Sequence, residues 1–267
     1  MLVRHVTIGA DPEMFIIDTA KNNKVISSIG IIPGKKGEPF VEKGWVNGFG
    51  LETDNILAEF NIPPCSSRIE FLANIEFMKD YVRQFVKKIC PTYDIQCIAS
   101  REVDADQLTT PESMEFGCDA DYNAYTEEIN QKPICDDKNL RSAGFHVHVG
   151  YDGFNAITSL HLVKMLDVFL GIPSILVDQD TKRRSLYGKA GNFRLQPWGV
   201  EYRVLSSFMM SSDNLICSVY NNVMQAIDVY NDVGLLEVNY DLVQNIINNN
   251  NKSEAKKFIK KYNIPVI

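Results

Sequence analysis

The chain has 267 residues, 45% of them hydrophobic and 23% charged, and its 27 Lys and Arg against 34 Asp and Glu leave a net charge of −7. That is the composition of a folded protein with a sizeable core, and the acidic balance speaks against nonspecific nucleic-acid binding or adhesion to anionic membranes, both of which need a cationic face. The first residues carry no long apolar stretch with a small-residue cleavage site, and Asp178 ends the greasiest run, residues 168–177, so neither a signal peptide nor a spanning helix is expected. The six cysteines include no C-x-x-C pair, which predicts reduced thiols and a cytoplasmic location.

In chain order, residues 3–9 and 14–17 predict two short strands, residues 27–50 a loop rich in Gly, Pro and Lys, and residues 55–61 a third strand stopped by Pro63-Pro64. Ser67, three residues before Glu70, is a capping-box signature; Phe71, Ile75, Met78, Val82, Phe85 and Ile89 follow at helical spacing and predict an amphipathic helix ending before Pro91. Residues 95–99 read as a strand and residues 101–140 as polar, irregular cover. Residues 145–149 and 202–205 continue the strand pattern, Asn155 and Ser212 cap two further helices, and a helical tail reaches about Tyr262 after an Asn run at 248–251. No repeat or linker divides the chain, so one domain covering residues 1–267 is expected, and short antiparallel strands between long helices predict an α+β fold.

Alternate residues of a strand face the same way, so ionisable residues spaced by two present both heads to one side. Asp11 and Glu13 form such a pair, as do His146 and His148, and Glu201 and Arg203; Glu59 stands alone among apolar neighbours. Each by itself also fits a solvated strand face or a cross-strand ion pair. Together on one sheet face they would be costly to bury without partners, and a divalent cation removes that cost. Hard oxygen ligands with a minority of imidazole suit Mg2+ or Mn2+ better than Zn2+.

Residues 180–194 concentrate Lys182, Arg183, Arg184, Lys189 and Arg194 among glycines. Guanidinium forks bind phosphate oxygens two at a time, so this stretch beside Mg2+ ligands points to a nucleoside triphosphate, with a solvated basic loop as the plain alternative. No G-x-G-x-x-G, P-loop or G-x-S-x-G motif is present. Cys118 lies beside Asp119 and Asp121, which would raise a thiol pKa, so it is not expected to be a nucleophile.

The ordered set Gly9-Ala10-Asp11-Pro12-Glu13, Asp54-Asn55 with Glu59-Phe60-Asn61, residues 116–123, residues 141–151 and residues 183–208 resembles the phage-type amidoligases of the glutamine synthetase and glutamate–cysteine ligase superfamily. The resemblance implies an antiparallel sheet with a concave active-site face flanked by helices, a glutamine synthetase-like catalytic fold. It implies ATP-dependent joining of a carboxylate to an amine through an acyl phosphate, with Mg2+ or Mn2+ holding the phosphates. By position, Glu13, Glu59, His146 and Glu201 match metal ligands; His148 and Arg203 match groups near the transferring phosphate, and Arg183, Arg184, Arg194 and Lys189 further phosphate or carboxylate clamps. Asp11 stands where many relatives have Glu, and Phe145 where phage relatives often have Gly, which would narrow the pocket. Small-molecule or peptide carboxylates and amines are the expected partners, and subunits of this superfamily sometimes share active sites.

The amine must lose a proton, and Asp54 or the Asp119/Asp121 loop are the candidate bases. Two other readings stay open on the residues alone. A metal-dependent hydrolase would use His146, His148 and Glu59 but leaves the arginines without a role; a noncatalytic relative would keep the fold and the nucleotide. Specificity is expected in loops 34–50 and 101–140.

Overall fold

The computed structural model describes residues 2–115, 121–131 and 135–267; Cys118 and Asp119 lie outside them. The strands are β1 (Arg4–Asp18), β2 (Lys24–Ile26), β3 (Gly50–Asp54), β4 (Leu57–Asn61), β5 (Tyr93–Gln96), β6 (Ser100–Glu102), β7 (Tyr122–Asn123), β8 (Leu140–Ser142), β9 (Phe145–Asp152), β10 (Asn192–Gln196) and β11 (Gly199–Tyr202). The helices are α1 (Arg68–Ile89), α2 (Pro111–Met114), α3 (Ala156–Leu166), α4 (Ile172–Val177), α5 (Lys182–Leu186), α6 (Asp213–Val233), α7 (Tyr240–Asn248) and α8 (Lys252–Tyr262).

Among the described residues, an antiparallel sheet runs β3-β4-β1-β9-β11-β10-β7, with β2 and β5 paired to the far end of β1. The α+β expectation is met at this level. Where two short strands were expected, β1 is one strand of 15 residues that passes through Pro12. The β3–β4 hairpin turns at Asn55, which adopts φ 56°.

Strand periodicity sorts the sheet. Ile8, Ala10 and Met14 of β1, Val147 and Val149 of β9 and Val200 and Tyr202 of β11 are all buried in one core. That core lies under α1, which packs on β1 and β5, and α3, which packs on β10 and β11, with α6 against both helices. Phe145 belongs to this side, stacked on Phe71 of α1 with ring centroids 6.4 Å apart, so it cannot narrow a pocket on the other face. There the odd residues of β1 change character along the strand: Phe15 and Ile17 join a small second core with Val103 and Leu108, whereas Asp11 and Glu13 line an open cleft.

The helix starts follow from capping. Ser67 Oγ accepts from the Glu70 N–H and Glu70 Oε2 accepts from the Ser66 N–H, while Asn155 and Ser212 accept from Thr158 and Leu215. One expectation fails. Residues Ala156–Val177 form a continuous helix, α3 and α4 joined through a π turn at 167–171, which is long and apolar enough by length and composition to cross a membrane. Most of it, 72% of the apolar window, is buried inside the protein, where a core helix has the same apolar composition.

Asp167 opens that π turn with its carboxylate buried, accepting from Tyr125 Oη and Tyr202 Oη, each at 2.8 Å. Burial raises its pKa to about 7, against the pull of the two hydroxyls. The folded protein thus holds a proton there that the unfolded chain loses near pH 4, so this group's contribution to stability falls as pH rises from about 4 to about 7. Asp167→Asn removes the dependence: in thermal melts between pH 5 and pH 8, the variant is expected to gain on the wild type as pH rises. A constant difference would contradict the assignment.

Candidate active site

Register alone brings the cleft residues together. Across the sheet Glu52 pairs with Glu59 and Glu59 with Glu13; one step along, Asp11 pairs with His146, and beyond it His148 pairs with Glu201 and Glu201 with Arg194. All of these side chains project to the face opposite the main core. Two groups of ligand atoms result, each with its members within 4.8 Å of one another: Asp11, His148 and Glu201, and Glu13, Asp54 and Glu59.

The two groups differ in charge balance. In the first, burial and the Asp11 charge push the Glu201 carboxyl up, but Arg203, His146 and His148 together hold it below its ordinary value. Burial likewise opposes ionisation of Asp11, yet the two imidazoles keep its pKa far below the usual range. Burial disfavours the His148 cation, and Asp11 overcomes it, so the imidazole pKa rises. In the second group the positive partners reach Asp54 and Glu13 and leave Glu59 uncompensated. Burial, then the charges of Asp11, Glu13, Asp54 and Glu52, drives Glu59 well above the normal carboxyl range, and burial raises Glu52 as well. Negative charge is in surplus here, which a divalent cation would relieve.

The donor set fits such a cation. Asp11 Oδ1 and His148 Nε2 are buried and 3.1 Å apart, yet neither finds an aligned hydrogen bond. With the Glu201 carboxylate beside them, these atoms suit a shared hard ion, and the mainly oxygen set favours Mg2+ or Mn2+.

Arginines close the site. Arg203 Nη1 contacts Glu201 Oε1 and lies 3.3 Å from His146 Nδ1, while Arg203 Nε is 3.7 Å from Asp121 Oδ2. Arg194 Nη1 is 3.6 Å from Glu201 Oε1, whose partner oxygen accepts from Gln196 at 3.0 Å. Arg183 is buried beside Glu13; burial lowers its pKa to about 10, and Nη1 donates to the Val204 carbonyl at 3.2 Å. Glycines make its room: a Cβ on Gly188 would stand 2.0 Å from Arg183 Nη1, and one on Gly144 would stand 2.5 Å from His146 Nε2. The Gly144 N–H is given to Glu13 Oε2 at 2.5 Å.

On the other side of His148 lies a second cavity of about 290 Å3, lined by Thr7, Gly9, Ile62, Pro64, Gly150 and Trp198. The Trp198 ring is 5.2 Å from the His148 ring.

The expected metal set of Glu13, Glu59, His146 and Glu201 is thus divided. Glu13 and Glu59 share one group and Glu201 belongs to the other, where His148 rather than His146 completes the trio; His146 stands beside it, 3.2 Å from Asp11 Oδ1. Arg183, Arg194 and Arg203 reach the cleft. Arg184 does not: adjacent residues of a helix point about 100° apart, and its guanidinium turns inward to Ser174 Oγ at 2.9 Å and the Gly188 carbonyl at 3.4 Å. Lys189 is exposed, in a loop whose next residue is tied to α7 by the Ala190 N–H donating to Asn248 Oδ1. Glu59 groups with Glu13 and Asp54 rather than with a histidine. Glu52, Glu115 and Arg141 also line or flank the site without having been singled out; Arg141 is spent on the Ser113, Lys138 and Leu140 carbonyls and so ties the cleft wall together. The alternation in Gly50-Leu51-Glu52-Thr53-Asp54 before a turn at Asn55 was the available signal for Glu52.

Comparison with known proteins bears on this geometry. Residues 139–261 match the family model "Phage phiEco32-like COOH.NH2 ligase-type 2". The match covers just under half of the chain and includes His146, His148, Arg183, Arg194, Glu201 and Arg203. A bifunctional glutathione synthetase from Pasteurella multocida is similar at a TM-score of 0.45 and 8% identity, over 97% of this chain and 49% of its own, so the chain spans about half the length of that protein. A likeness at that level assigns neither fold family nor activity. No curated protein matches the chain.

Because burial, and after it the neighbouring carboxylates, raise the Glu59 carboxyl pKa, its cost to folding grows as pH rises above the ordinary carboxyl range. Glu59→Gln is therefore expected to raise the melting temperature in EDTA, more at pH 8 than at pH 5. A lowered melting temperature at pH 8 would show that the surplus charge is compensated.

Proposed function

We propose that the protein is an ATP- and Mg2+-dependent carboxylate–amine ligase that works through an acyl phosphate, on a glutamine synthetase-like catalytic fold. The observation that carries this reading is the juxtaposition, on one sheet face, of two cation-ready ligand groups with Arg183, Arg194 and Arg203. The family match over residues 139–261 supports it.

Asp11, His148 and Glu201 would hold one cation and Glu13, Asp54 and Glu59 another. When bound, Mg2+ supplies neutralisation of the triphosphate charge. The chain's own groups do the rest. The cavity beside Trp198, lined by Gly9, Ile62, Pro64 and Gly150, has the largely apolar walls that suit a flat base. Arg194 and Arg203 place fixed positive charge where negative charge gathers during transfer, which is the main contribution a protein makes to phosphoryl chemistry. Arg183, in the same cleft beside Glu13, offers its fork to the carboxylate substrate. Asp121, on the cleft wall beside Arg203, is placed to take the proton from the amine.

Mg2+ with ATP at a hundredfold excess over Kd is expected to stabilise the protein by about 2.7 kcal/mol, read as a rise in melting temperature. Glu201→Gln and Glu59→Gln should lose that rise, the latter despite its higher starting value. ADP release screened over pooled carboxylates and amines, with hydroxylamine trapping the activated carboxylate as a hydroxamate, then identifies the substrates. No response to ATP with any divalent cation would overturn the ligase reading.

A further inference from the structure

The loop before β3 reaches the carboxylates of the second ligand group. It lies flat on the strand because Gly34 permits close approach: a Cβ there would stand 2.1 Å from the Leu51 carbonyl oxygen and 2.6 Å from the Phe40 nitrogen. The Thr53 N–H donates to the Gly34 carbonyl at 3.0 Å, and Phe40 and Leu51 exchange backbone hydrogen bonds at 2.8 and 2.9 Å. This seat puts two positive groups on the cluster. The Gly37 N–H donates to Glu52 Oε2 at 3.0 Å, and Lys36 Nζ sits 3.0 and 3.1 Å from the two oxygens of Asp54. Asp54 is at the same time one of the three carboxylates that converge in the group with Glu13 and Glu59.

We propose that Lys36 is a built-in counter-cation of this group, which a divalent ion displaces from Asp54, so that ion binding frees the tip of loop 34–40 at the cleft mouth. The inference rests on the reading that Glu13, Asp54 and Glu59 take a divalent ion. The Lys36 ammonium reaches Asp54, the most exposed carboxylate of the three, from the solvent side, with its side chain 41% exposed against 15% for Asp54. A divalent ion brings twice the charge to three carboxylates at once and repels an ammonium held on the same oxygens. The tether is therefore the weaker partner. Backbone hydrogen bonds between Lys35 and Glu38, Gly34 and Thr53, and Phe40 and Leu51 keep the base of the loop in place, so the release is confined to its tip, the Lys36 side chain and the Gly37 N–H on Glu52.

The test uses Mn2+ as the probe on the full chain. Calorimetric titration of wild type, Lys36→Met and Lys36→Arg is expected to show Mn2+ binding several-fold more tightly to Lys36→Met, with Lys36→Arg close to wild type. Hydrogen exchange followed by mass spectrometry is expected to show residues 34–40 exchanging faster in wild type with Mn2+ than in EDTA. Equal Mn2+ affinity in Lys36→Met, or loop exchange unchanged or slowed by Mn2+, overturns the proposal and leaves the cation-site reading standing. Absence of Mn2+ binding to wild type overturns both.

Discussion

The face of a sheet that gathers Asp11, Glu13, Glu52, Asp54, Glu59 and Glu201 has to be reconciled with burial, and most features around the cleft answer that constraint. On the Glu201 side the protein supplies its own compensation, two imidazoles and two guanidinium groups within a few ångströms. On the Glu59 side it supplies a lysine on Asp54, an arginine beside Glu13 and two backbone N–H groups, and leaves Glu59 raised. The asymmetry is informative. The Glu201 half is balanced by its own cations, whereas the Glu59 half keeps a carboxyl raised by burial and by its acidic neighbours.

Strand periodicity made much of this visible from sequence. Spacing by two in Asp11/Glu13, His146/His148 and Glu201/Arg203 gives the facing of each pair, and the structure places all six side chains on the cleft face because their strands are neighbours. What spacing does not contain is the order of the strands. That β1 lies between β4 and β9, and therefore that Glu59 meets Glu13 while His148 meets Glu201, is set by pairing between segments far apart in the chain. So the membership of each ligand group was not legible.

The arginine-rich segment shows the same limit in another form. Arg183 and Arg184 are equivalent as composition, yet one reaches the cleft and the other supports α4, because a helix turns between them. Glu52 was hidden by its setting, since a loop rich in Gly, Pro and Lys runs directly into β3 and masks the alternation that begins at Gly50. The loop itself gains order from an aromatic cluster, Trp45 with its ring 4.8 Å from that of Tyr81 on α1, a long-range contact that local sequence does not announce.

The unbroken run of β1 through Pro12 ties the two halves of the cleft together. One strand carries Asp11 for the first ligand group and Glu13 for the second, and the Glu13 N–H is pinned to the Gly144 carbonyl of the adjoining chain segment at 3.0 Å. Two residues of extended backbone span about 6.6 Å. The main chain therefore fixes how far apart the Asp11 and Glu13 side chains start, and substitutions elsewhere in the pocket leave that gauge unchanged.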